Sequence, residues 1–90
     1  MFILTINGRE TEGAYSVMND EGDQILYLFE GEDDAIRYAM MLEDNGCPEM
    51  HVIEVEDDIM INTCDMHGYN YAIITPNDIV IPPDIEYDFI

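Results

Sequence analysis

Ninety residues carry 21 Asp and Glu against two Arg and no Lys, for a formal net charge of −19. That balance excludes direct binding to nucleic acid or to an anionic membrane, since both depend on Lys and Arg displacing counterions from phosphate. An apolar share of 48% with six Tyr and three Phe excludes a disordered chain, and the length allows one domain.

Residues 2–6 are apolar around Thr5 and predict a first strand. Asn7 and Gly8 open a polar turn, after which Gly13 to Met18 alternates as a second strand. Asn19-Asp20-Glu21-Gly22-Asp23 is a turn by composition, and Gln24 to Phe29 is the third strand, so residues 14–29 form a hairpin. The acids of that turn lack the alternating positions and terminal Glu of an EF-hand loop, and turn chemistry accounts for them. The period then changes. Ala35, Ala39 and Leu42, flanked by Ile36 and Met40, predict a helix from Gly31 to Asn45, stopped by Asn45-Gly46 and Pro48. Glu30, Glu32, Asp33 and Asp34 surround its first turn, where the helix dipole favours negative charge.

Met50 to Val55 is a fourth strand. Asp57 or Asp58 can cap a second helix that runs to His67 and ends at Gly68. Ile59, Thr63 and Met66 lie on one stripe of it, and Met60, Cys64 and His67 on the next. Its β-branched residues are weak helix formers, so a strand is the alternative there. Tyr69 to Thr75 is a fifth strand, closed by Pro76. The expected organisation is a single α+β domain over residues 1–76 followed by an acidic-apolar tail, 77–90. The order β-β-β-α-β-α-β suits a mostly antiparallel sheet of about five strands with two helices on one face. A ferredoxin-like arrangement with an added N-terminal hairpin strand is the preferred topology.

The chemistry-bearing residues are few. Ser16 is the single Ser and has no nucleophile-elbow glycines around it. Paired carboxylates are too abundant for any one pair to be informative, and thiolates want an electropositive setting that this charge denies. The expectation is a protein that is not an enzyme. Cys47, His51, Cys64 and His67 form the one constellation with metal chemistry, spaced Cys-x3-His and Cys-x2-His. Four N and S ligands at one end of the domain would make a tetrahedral zinc site. A buried thiol at Cys64 and a helix-capping His67 explain the same letters with no cofactor. In the tail, Asp84, Glu86 and Asp88 alternate with Ile85, Tyr87 and Phe89. That pattern suits either a linear motif that docks on a basic-rimmed groove or a segment folded back over the sheet edge, with packing preferred.

Several letters of the first helix are shared with a known family. Leu28-Phe29-Glu30, Glu32-Asp33-Asp34-Ala35, Arg37-Tyr38-Ala39 and Leu42-Glu43 resemble the hallmark segment of domain-of-unknown-function family 3110, small proteins of cyanobacteria and plant plastids. The N-terminal strand, Cys64, Gly68-Tyr69 and the Pro after the last strand are similar as well, so the likeness covers about residues 2–76. It implies a fold and an origin, with no activity to carry over. The resemblance implies an origin in a photosynthetic prokaryote, a plastid or a virus of cyanobacteria, and the compact size, the missing Lys and the acidity depart from host members in the direction of a viral copy.

The expected function is a cytoplasmic, non-enzymatic interaction or regulatory protein that binds a basic protein partner and modulates a host enzyme. Its contact residues would be Glu30, Glu32, Asp33, Asp34, Asp84, Glu86 and Asp88. A nucleic-acid mimic is the alternative, and it requires carboxylates in file along one face. Two Cys and no export signal fit a reducing compartment, and the letters leave the oligomeric state open.

Overall fold

The computed structural model describes residues 1–10, 13–78 and the backbone of 87–89. In chain order the elements are β1 (Phe2–Ile6), β2 (Tyr15–Met18), β3 (Gln24–Phe29), α1 (Glu32–Asp44), β4 (Met50–Glu54), α2 (Asp57–His67), β5 (Asn70–Ile74) and β6 (Tyr87–Phe89). All strands join one sheet in which β3 is central. On one side β3 pairs antiparallel with β2 and, at Phe29, with β1; on the other it pairs parallel with β5 from Ile25↔Asn70 to Phe29↔Ile74. Beyond them β1 pairs antiparallel with β4 over five positions, Phe2↔Glu54 to Ile6↔Met50, and β2 with β6. The protein is therefore α+β with a mostly antiparallel sheet, as its element order implies.

One expectation is corrected: the helices lie on opposite faces of the sheet. Alternate residues along each strand point to opposite sides. Leu4, Phe29 and Ile74 pack with Ala35, Tyr38, Ala39 and Leu42 of α1. Their strand neighbours Ile3 and Leu28 pack instead with Cys64 of α2. The reason is topological. A ferredoxin-like chain reverses direction by a hairpin between its two helices, but here the single strand β4 both ends the first crossover and begins the second. β3, β4 and β5 run parallel. The first crossover moves outward past β1 to β4, and the second returns across to β5. Crossovers between parallel strands are right-handed, and two right-handed crossovers in opposite directions must pass over opposite faces.

Helix α1 starts without a side-chain cap at Gly31, and its Glu32, Asp33 and Asp34 answer the positive end of the dipole. It buries Ala35, Tyr38, Ala39 and Leu42 while Ile36 and Met40 stay exposed. The buried stripe is thus turned by one position towards Tyr38. Tyr38 reaches Tyr15 of β2, their hydroxyls 2.9 Å apart and buried, and its ring meets Tyr15, Tyr27 and Phe29 at centroid distances of 5.5, 5.7 and 5.4 Å. Burial, then the Tyr15 hydroxyl, hold the Tyr38 phenol far above its ordinary range, so it stays neutral and works as a hydrogen-bonding strut. Tyr38→Phe deletes one hydroxyl of this pair and is expected to cost about 1–2 kcal/mol, read from the urea midpoint at unchanged slope; an unaltered midpoint would show that the pair contributes nothing.

Helix α2 is a helix despite its Ile and Thr content. Gly68 closes it in the left-handed conformation at φ 70°, where a side chain would be strained. Thr63 donates its hydroxyl to the Ile59 carbonyl at 2.7 Å, which satisfies the polar group locally. Cys64 is its one fully covered residue, with Met60 and Ile61 half-buried beside it.

Candidate functional site

The acids of the first helix divide by environment. Glu30, Glu32 and Asp33 are exposed. Asp34 turns inward, its side chain 13% exposed, and accepts from the Arg37 guanidinium at 3.0 Å, one turn along the helix. Gly31 leaves space for that carboxylate, since a Cβ there would sit 3.1 Å from Asp34 Oδ2. Gly31, Glu32, Asp33, Asp34, Arg37 and Pro76 line an open concavity of about 490 Å³. The pairing is an exposed i,i+3 contact worth roughly 0.2–0.5 kcal/mol, and it neutralises one of the four acids. Nothing in the concavity resembles a nucleophile with its base.

The Cys and His residues are not brought together. Cys47 packs against the core on the α1 face, and Cys64 is buried in the core on the α2 face, so the sheet lies between them. His51 is exposed on β4, with Nδ1 3.2 Å from the Glu10 carboxylate. His67 stacks on Tyr69, centroids 5.3 Å apart. Among the described residues no group of three or more His, Cys, Asp or Glu is placed to hold a metal ion. The zinc reading placed α2 beside the start of β4 on the side of the Cys47 loop, and the opposed helices remove that geometry. Burial, then the neighbouring Asp65 carboxylate, push the Cys64 thiol above its ordinary pKa, which suits a packing role rather than a reactive one.

In the tail, Asp84 and Glu86 lie outside the described residues. Asp88 falls in β6, whose backbone pairs with β2 through Tyr15↔Phe89, Ser16↔Asp88 and Val17↔Tyr87. This pairing is the packed alternative for that segment. At the other end of β5, Asp78 closes a turn by accepting from the Thr75 amide at 2.8 Å and the Thr75 hydroxyl at 3.0 Å. The amide, then the hydroxyl, lower the Asp78 carboxyl below its ordinary value. A depressed folded-state pKa means that the turn's contribution is complete above the unfolded pKa near 3.8 and is lost as pH falls through the lower folded value. The protection of the Thr75 amide, its intrinsic exchange rate over the measured one at each pH, is expected to fall in that acid window in the wild type and to stay level in Asp78→Asn; equal protection profiles would contradict the assignment.

The exposed carboxylates do not form one file. Glu32, Asp33, Glu43 and Asp44 lie on α1, Asp57, Asp58 and Asp65 on α2 across the sheet, and Asp20, Glu21 and Asp23 in the β2–β3 turn. With two Arg for 21 acids, most carboxylates have no side-chain cation within the chain to pair with. The letters place two stripes on α2 without saying which one faces the sheet. The stripe Ile59, Thr63, Met66 is the outward one on α2, leaving Ile59 61% and Met66 83% exposed. A helix with apolar residues on two sides signals that only one side can be covered by a single sheet, but periodicity alone does not say which.

No helix among the described residues is long and apolar enough to cross a membrane. The family model described as Domain of unknown function (DUF3110) matches residues 1–84. No curated protein and no solved structure matches the chain.

Proposed function

The chain belongs to the family of unknown function DUF3110, and from that membership, which supplies no activity, we propose that it is a non-enzymatic acidic binding protein for a basic surface of a partner protein. The observation that carries this reading is the excess of exposed carboxylates over cations on both faces of the sheet. Such a field steers a basic partner into encounter and makes association sensitive to salt. A nucleic-acid mimic would concentrate its carboxylates along one face at phosphate-like intervals, and their spread over α1, α2 and the β2–β3 turn favours a protein partner instead. The test is affinity capture from a lysate at low and high salt, followed by competition with duplex DNA. A discrete basic protein, retained at low salt, released at high salt and not displaced by DNA, is the expected result. Capture of nothing at low salt would refute the reading, and displacement by DNA would transfer it to the mimic.

A further inference from the structure

We propose that the outward stripe of α2, formed by Ile59, Thr63 and Met66, is the docking ridge for a basic amphipathic helix of the partner; this rests on the acidic-binding reading and adds the surface. Surface helices normally confine apolar residues to the side that faces the core. α2 already does so with Met60, Ile61 and Cys64 against Ile3, Leu28 and Tyr71. Its opposite side repeats apolar character at i, i+4 and i+7, the spacing of anchors in helix-to-helix recognition. Thr63 strengthens that character, because its hydroxyl is turned onto the Ile59 carbonyl. Met66 is unbranched and polarizable, suited to moulding around a partner side chain.

Charge selects the occupant. The helix and its N-cap carry Glu56, Asp57, Asp58 and Asp65 and no Lys or Arg. Asp58 and Asp65 stand seven residues apart on one flank of the helix, about 100° round from Ile59 and Met66 with Asn62 between, within reach of long Lys or Arg side chains of a docked helix. A second copy of this chain would bring another −19 to the same place, and a lipid surface with anionic headgroups is repelled for the same reason. A helix with Lys or Arg flanking an apolar face satisfies both the stripe and its border.

The test uses the full chain and two synthetic peptides of identical composition, one with Leu and Lys arranged as an amphipathic helix and one scrambled to destroy the apolar face. Binding is measured by titration calorimetry, and the contact is mapped by amide and methionine-methyl chemical shifts. The amphipathic peptide is expected to bind at least about tenfold more tightly than the scrambled one, a difference of about 1.4 kcal/mol. Its shifts should centre on α2, and Met66→Ser with Ile59→Ser should abolish the preference while circular dichroism stays unchanged. Equal binding of both peptides would overturn the stripe yet leave salt-sensitive acidic binding standing. Shifts centred on α1, or no binding of either peptide, would overturn the stripe as well, with lysate capture still judging the wider reading. A concentration-dependent dimer lost in Met66→Ser would assign the stripe to a second copy instead.

Discussion

Phe29→Ala is expected to unfold a large share of the protein at 37 °C. Phe29 has no exposed surface. It sits where three strands meet, paired with Phe2 of β1 on one side and Ile74 of β5 on the other. Its ring also touches Tyr38 of α1, with centroids 5.4 Å apart, so one side chain ties two strand pairings to the helix above them. Removing a buried Phe ring costs about 3–5 kcal/mol, because the lost transfer energy is joined by that of the cavity left behind. A domain of this length has roughly 5–13 kcal/mol in total, and the surface-to-volume ratio of a small chain keeps it low in that range. The melting temperature should fall by about 15–30 °C. Met40→Ala on the outer side of α1, where Met40 is 60% exposed, is the matched control and should change stability by no more than about 0.5 kcal/mol. Similar losses for the two variants would contradict the placement of the core.

The second large effect is that of salt on the native state. The protein measures 33 × 30 × 28 Å and carries a net −19. At 0.01 M salt the screening length is about 30 Å, so every carboxylate feels every other one across the whole molecule. At 1 M it is about 3 Å, and only immediate neighbours interact. Folding concentrates these charges, and the repulsion is a cost that salt removes. The melting temperature should therefore climb steadily with sodium chloride, by roughly 5–15 °C between those limits, and potassium chloride should act alike because ionic strength is the variable. The same salt should weaken partner binding. Stability and affinity thus respond in opposite directions, which neither a rigid neutral surface nor a hydrophobic interface would produce. A flat or falling melting curve would refute the account.

Much of the element order was legible because each element announces itself locally. The apolar run of Gln24 to Phe29, bounded by a polar turn, matches β3 residue for residue, and the Gly31 to Asn45 periodicity matches α1 to within its caps. Gly68 marked the end of α2 because the left-handed turn needs a residue without a side chain. What failed was relational. The faces on which the helices lie are not written in either helix; they follow from the directions of the two crossovers. A right-handed crossover that returns across the sheet takes the face opposite the first, one that continued outward would share the first helix's face, and the letters of β4 and β5 do not say which occurs. The reading that grouped Cys47, His51, Cys64 and His67 rested on the same one-faced arrangement, in which α2 ends beside the Cys47 loop, whereas the sheet lies between Cys47 and Cys64. Tyr38 is not among the apolar residues that predict α1, yet it is buried, and Tyr15 supplies the hydrogen-bond partner that makes its burial tolerable. The alternation through the tail suited a segment over a sheet edge, but nothing in its letters names β2 as the edge that β6 pairs with.

The long-range pairings of β1 and β3 have a consequence for synthesis. β1 is complete at residue 6, but its five-position partner β4 arrives only with residues 50–54, and β3 waits in the same way for residues 70–74. At about 5–20 residues per second, each strand emerges from the ribosome several seconds before the edge that will cover it. Apolar strands in that condition are templates for neighbouring nascent chains on a polysome. Here the turns and helix starts between them are dense with Asp and Glu, so every growing chain already repels its neighbours before any fold exists to protect it. Charge repulsion between neighbouring nascent chains would act in the interval in which the sheet is unfinished, and it needs no partner.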